Sequence, residues 1–228
     1  MSTSGTYTFN PSLGELTIYA YQLIGIRPTA LLQEHIDAAR IATNMMFTRW
    51  SNQGVNLWQV SQTITPLIQG TAQYNVDSST VTMLDTYIRT ISGNTVTDRI
   101  ILPISRTEYA SYPNKIQQGF PTTYWFDRLL SPTVTLWPVP DGTQTSLVYY
   151  SVLRIQDANM NGTEQVDIPP IWLEAMSYGL AERLAVIWAP DKALPMRALA
   201  DEAYNIAAQQ NVEQASQFIS PQLSGYWR

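Results

Sequence analysis

Apolar positions along the chain fall into three blocks with two different periods. In residues 10–53 the period is helical: Leu13, Leu16, Ala20 and Leu23 recur at steps of three and four. Asn10 is placed to cap this helix, with Pro11 at its first position, and Gly25 stops it. Arg27-Pro28-Thr29 forms the connection, and a longer helix is predicted with Thr29 as its cap. Leu32, Ile36, Ala39, Met46 and Trp50 lie near one stripe of it, with Ala42 and Met45 beside them, and residues 51–54 end it.

From Val55 to about Asp167 the period shortens to two. Leu57, Gln59, Ser61 and Thr63 alternate with Trp58, Val60, Gln62 and Ile64, a strand pattern bounded by Pro66. Further strands are predicted over residues 72–76, 86–91, 98–104, 123–127, 133–137 and 146–155, with one short helix in 106–115. Ser92-Gly93-Asn94 and Pro140-Asp141-Gly142 are turn signals, and the second reads as a hairpin. Strands at this spacing, punctuated by Gly and Pro, predict a small antiparallel sandwich or barrel-like sheet.

Helical spacing returns near Asp167. Pro169 and Pro170 suit a helix start, Ile171, Ala175, Leu180, Leu184, Ile187 and Trp188 supply an apolar face, and Pro190 closes it. A last helix begins within residues 191–195 and carries Met196, Leu199, Ala203, Ile206 and Ala207. The fold class that follows is α+β. A four-helix bundle is built from both chain ends (residues 10–54 and 167–215), an antiparallel β domain is inserted at 55–166, and an extended C-terminal arm covers 216–228.

Composition changes the picture in one respect. Only 14% of residues are Asp, Glu, Lys or Arg, against about 25% in typical globular proteins. There are 13 Tyr, 7 Trp and 5 Phe, and just two of the 13 basic residues are lysines, Lys115 and Lys192. Interface cores are poor in Lys, Glu and Asp and rich in aromatics and Arg, so this composition points to assembly with other subunits. The net charge of −5 argues against gripping nucleic acid through its phosphates. With no cysteine there is no disulfide, thiol nucleophile or Cys-ligated metal. The N-terminal residues lack the basic stretch of a signal peptide, and the longest apolar run, residues 171–189, is broken by Glu174, Glu182 and Arg183, so no membrane span is expected. The sequon at Asn161-Gly162-Thr163 then reads as a turn.

Candidate chemistry is sparse. The single histidine, His35, has no nucleophile elbow or carboxylate at a telling spacing and reads as a surface or interface imidazole. Neither Gly-x-Ser-x-Gly nor a phosphate loop is present, and the acidic residues do not follow a Ca²⁺-loop spacing. No catalytic residue, cofactor or metal is therefore assigned. A carboxylate pair of the glycosidase type has two candidates, Asp201 with Glu202 and Glu174 with Glu182. Neighbours on a helix diverge by about 100°, and residues eight apart lie roughly 12 Å apart along the axis, so solvated helix faces are the simpler reading.

The C-terminal segment says more. Phe218, Ile219, Leu223, Tyr226 and Trp227 are accompanied by one charge, Arg228, and Pro221 and Gly225 break any helical period. Such a segment either folds back on its own domain or extends and docks into a neighbouring protein with Tyr226 and Trp227 as anchors. The composition favours docking.

Several motifs, taken in order, resemble one family. They are Asn-Pro-Ser-Leu-Gly-Glu-Leu from Asn10 with Leu23-Ile24-Gly25, Ile104-Ser105-Arg106-Thr107-Glu108-Tyr109, and Gly119-Phe120-Pro121-Thr122-Thr123-Tyr124-Trp125. Leu136-Trp137-Pro138-Val139-Pro140-Asp141, Asp167-Ile168-Pro169 and Gly179-Leu180-Ala181-Glu182-Arg183-Leu184-Ala185 continue the series. Over residues 9–208 the chain resembles the head-to-tail adaptor (connector) proteins of short-tailed bacteriophages.

The resemblance implies a structural, non-enzymatic virion protein made in the host cytoplasm. It would form a ring, twelve copies in that family, that joins the portal protein to the tail nozzle protein and continues the DNA channel. The arm residues Phe218, Ile219, Leu223, Tyr226, Trp227 and Arg228 would grip the portal. An acidic balance suits a lumen through which genomic DNA slides without sequence-specific binding. The alternatives are a virion-associated cell-wall hydrolase using a carboxylate pair, and a soluble bacterial binding module that resembles adaptors in its helices alone.

Overall fold

The computed structural model describes residues 5–6, 8–54, 57–160 and 163–211. Helices α1 (Leu13–Leu23) and α2 (Gln33–Gln53) come first. Strands β1 (Val60–Pro66), β2 (Gln73–Asn75), β3 (Thr80–Ser92), β4 (Thr95–Ile100) and β5 (Leu102–Pro103) follow, then the short α3 (Arg106–Ser111). The strands resume with β6 (Gln118–Gly119), β7 (Thr123–Asp127), β8 (Thr133–Trp137), β9 (Val139–Pro140) and β10 (Ser146–Leu153). Helices α4 (Leu173–Trp188) and α5 (Ala193–Gln210) complete a mixed α+β fold.

Local chemistry sets the helix ends, and it moves two of the predicted starts. The cap of α1 is Ser12 rather than Asn10, because Ser12 and Glu15 form a reciprocal capping box. Thr29 lies in a single 3₁₀ turn, Pro28–Ala30, and α2 starts only after Leu32, whose backbone N–H donates to His35 Nδ1 at 3.1 Å. His35 is therefore not a surface imidazole. It is buried, stacked on Trp188 with centroids 4.1 Å apart, and its carbonyl accepts the Tyr21 hydroxyl at 2.6 Å. Gly54 closes α2 in the left-handed conformation at φ 72°.

Helix α4 is the centre of the helical part and touches α1, α2 and α5. One core cluster joins Leu13 and Leu16 of α1, Met46 and Trp50 of α2, Trp172 and Met176, and Ala203 and Ala207 of α5. A second joins Ala20 and Tyr21, Ala39 and Ala42, and Leu180 and Leu184. The α2 face that turns inward is His35, Ala39, Ala42, Met46 and Trp50; Leu32, Ile36 and Met45, expected near the same stripe, are exposed. Ile171 and Ile187 of the fourth predicted face are exposed as well.

The strands make two four-stranded sheets, β1-β10-β3-β4 and β2-β8-β7-β5, plus the small pair β6-β9. The first sheet is antiparallel throughout; β5 pairs parallel to β7 in the second. A third core cluster unites them through Ile88 and Leu147 on one side and Tyr124, Val134 and Leu136 on the other. The two-residue hairpin lies at Gly93-Asn94, where Ser92 pairs Thr95. Pro140-Asp141-Gly142 does not make a hairpin, because β8 and β10 belong to different sheets. It is a crossing link, with Asp141 accepting from Thr143 N–H at 3.0 Å and Gly142 at φ 93°.

Candidate assembly surfaces

Several faces among the described residues leave large apolar side chains in water. One lies between α1 and α4. The capping box fixes the start of α1, which sends Leu13, Leu16, Ala20 and Tyr21 inward and leaves Tyr19 outward. On α4 the steps Leu173, Glu174, Ser177 and Tyr178 lie on one side of the helix. With Phe9 and Pro11 they line a groove of about 570 Å³. Phe9 is 79% exposed. The charged groups lining this groove are both acidic, Glu15 and Glu174. The hydrogen bonds from Ser12 backbone and side chain hold the Glu15 carboxyl below the usual carboxylate range.

On the opposite side of α4 lies a polar cleft of about 280 Å³ bordered by α2 and α5. Gly179 lets α2 approach here, since a Cβ on it would stand 2.8 Å from Met46 Sδ. Arg183 Nη1 donates to the Gly179 carbonyl at 3.0 Å and lies 3.7 Å from Glu182. Burial pulls the Arg183 pKa down and nearby Arg49 adds to that, while Glu182 opposes them. Glu174 thus faces the groove and Glu182 the cleft, so this pair of carboxylates does not converge. Asp201 and Glu202 are exposed, and Asp201 lies 3.9 Å from Arg197. Among the described residues no group of three or more His, Asp or Glu side chains could hold a metal ion.

The remaining apolar faces are the outer side of α2, with Ile41 and Met45, and the edge of the first sheet, where β4 is exposed along its whole length and presents Val96 and Ile100. A bidentate pair, Arg89 to Asp98 with both contacts at 2.8 Å, staples β4 to β3. The C-terminal end of α4 and the start of α5 add Val186, Ile187 and Leu194. None of these surfaces carries a catalytic constellation; their common property is apolar area with little charge. The predicted arm residues Phe218, Ile219, Leu223, Tyr226, Trp227 and Arg228 lie outside the described residues.

The family model for the SU10 adaptor protein matches residues 19–222. The chain belongs to the SU10 adaptor protein family. It is a phage head-to-tail adaptor, as its ordered motifs imply, and a structural component of the virion associated with portal and tail proteins. No curated protein matches the adaptor. Among the described residues no helix of the adaptor is long and apolar enough to cross a membrane. The adaptor's groove residues Phe9, Tyr19, Glu174 and Tyr178 were not legible as a site, since the groove exists only once segments about 150 residues apart meet. The faint signal was the excess of apolar residues over what the helix stripes needed.

Proposed function

We propose that the protein is the ring that joins the portal to the tail nozzle, twelve copies closing around a channel that genomic DNA crosses without sequence-specific binding. The observation that carries this reading is large apolar exposure on separate elements (Ile41 and Met45 on α2, Val96 and Ile100 on β4, Val186 and Ile187 on α4) in a chain belonging to an adaptor family. Each subunit of a closed ring uses two different surfaces against its two neighbours, and such faces would be buried there. The net charge of −5 suits a lumen that repels phosphate. The protein acts as scaffold rather than enzyme, and the separation of Glu174 from Glu182 gives a hydrolase no support.

In this reading residues 10–54 and 167–215 work as a four-helix bundle unit and 55–166 as an inserted β unit. Support comes from cores centred separately on α4 and between the two sheets. Residues 216–228 form the arm, with Phe218, Ile219, Leu223, Tyr226, Trp227 and Arg228 entering the portal. Native mass spectrometry of the protein mixed with portal tests the ring: a closed dodecamer on the portal is expected. Persistence of an unbound monomer at micromolar concentrations of both would sink the reading. Removing residues 216–228 should leave the helices folded and abolish stable attachment.

A further inference from the structure

The α1–α4 groove is apolar, acidic at its rim and open, and the chain itself carries a segment of matching character. We propose that, before the portal takes it, the segment 216–228 lies in the α1–α4 groove of its own chain. This rests on the reading of 216–228 as the portal-binding arm and adds where that arm resides in the free subunit.

Three observations lead there. The first is where the described chain leaves the fold. Ala203 and Ala207, near the end of α5, share a core with Leu16 and Leu173, and those two residues also line the groove. The second is reach. Phe218 stands seven positions beyond Asn211, a reach of up to about 24 Å when extended, enough for the chain to turn back on the core that α5 shares with Leu173. The third is charge. The charged side chains lining the groove are Glu15 and Glu174, and the one charged side chain in 216–228 is that of Arg228, next to Tyr226 and Trp227. Glu15 is engaged by Ser12, which leaves Glu174 to receive the guanidinium.

The other cavities fit this segment less well. The cleft behind α4 is polar and already balances Arg49 and Arg183 against Glu182 and Asp201, so it offers neither apolar walls nor unmatched acid, and the concavity beside Ile41 and Met45 is built on one helix and has Arg40 in it. Seating the arm covers two sticky surfaces at once, an advantage for a subunit that must stay dispersed before it meets its partner. It also sets a threshold. A tethered segment competes for its own groove at millimolar effective concentration, so the portal must bind the arm well enough to displace it.

The absence of cysteine makes the test clean. Ile171, half-exposed beside the groove residue Pro170, and Ser224 are changed to Cys in the otherwise complete chain, and a short bismaleimide is added without portal. The expected product is an internally linked monomer whose yield does not change with protein concentration. Glu174→Arg should lower that yield several-fold, and Glu174→Arg with Arg228→Glu should restore it. Links between chains, in a yield that falls on dilution, would make a second copy the occupant and overturn the proposal. No link, or a yield indifferent to both charge changes, would overturn it too. The portal is not in the tube, so a truncated protein that still attaches to portal would defeat the arm's assignment without touching this result.

Discussion

Trp172 is the largest side chain with no solvent exposure, and it sits where Trp50, Trp58 and Tyr204 converge at ring distances of 5.2–5.5 Å. Among the described residues its indole N–H has no hydrogen-bond partner. Two substitutions therefore part company. Trp172→Ala opens a cavity among three aromatics and is expected to lower unfolding free energy by about 3–5 kcal/mol. Trp172→Phe keeps ring contact and removes an unpaired buried donor, so its cost should be only about 1–2 kcal/mol. Urea titrations of both variants check this; equal losses would mean that the N–H is satisfied. Several carboxylates act at the same scale but on the surface. Asp77 is held low by Ser79, Asp98 by Arg89, Asp141 by Thr143 and Glu15 by Ser12. Each folded-state pKa lies below its unfolded value of about 4. Their contributions are thus present above that value and fade as pH falls through it toward the folded values. The melting temperature should drop with acidification below about pH 4, and Asp98→Asn should flatten the drop.

At the scale of elements, caps and turn chemistry decide what periodicity leaves open. Ser12→Ala removes one half of the capping box and should cost about 1 kcal/mol, measured by thermal or chemical unfolding. Strands β7 and β8 occupy the ranges that alternation predicts, because Tyr124, Val134 and Leu136 enter the core between the sheets while Thr123, Trp125, Thr133 and Trp137 stay half-buried; Thr135 departs from the alternation and is buried too. The hairpin falls at Gly93-Asn94 rather than at the turn the residues suggest, and the reason is physical. Pro140-Asp141-Gly142 has good turn residues, but Val134 and Leu136 on β8 and Leu147 on β10 meet across a core instead of pairing side by side, and turn chemistry alone does not report that. The buried face of α2 departs from the predicted stripe for a related reason. Leu32, Ile36 and Met45 are apolar and exposed, whereas the polar-looking His35 is buried in an aromatic stack. A chain made for assembly has two apolar demands, its own core and its partners, and a single sequence superposes them. The same superposition hid the groove, whose Tyr19 and Tyr178 satisfy no helix stripe. Gly179→Ala tests the α2–α4 contact from the other side. The added methyl meets the flexible end of Met46, so a loss of only about 1 kcal/mol is expected, and a much larger one would mean that Met46 cannot move.

For the whole molecule the decisive question is whether the helices depend on the strands between them. The chain leaves the helical part along β1 and returns along β10, and these two strands are antiparallel neighbours, with Val60 paired to Val152. Paired residues in such a ladder stand only about 4.5–5.5 Å apart. The two ends of the β unit are therefore already together, and excising what lies between them stretches nothing. The cut has to respect the core, because Ile155 and Ala158 pack with the helices and Asn44 holds Ala158 through two hydrogen bonds of 2.8 and 2.9 Å. Trp58 must also stay, as it packs on Trp172 and donates to the Asp167 carbonyl at 3.1 Å. Replacing residues 61–151 with a short glycine linker keeps all of these contacts and discards the core between the sheets. The shortened protein is expected to retain the far-ultraviolet dichroism of α1, α2, α4 and α5 and to melt cooperatively at a lower temperature. A remnant without helical signal would show that α4 cannot hold its three neighbours unless the sheets brace them, and the two-unit organisation would have to be given up.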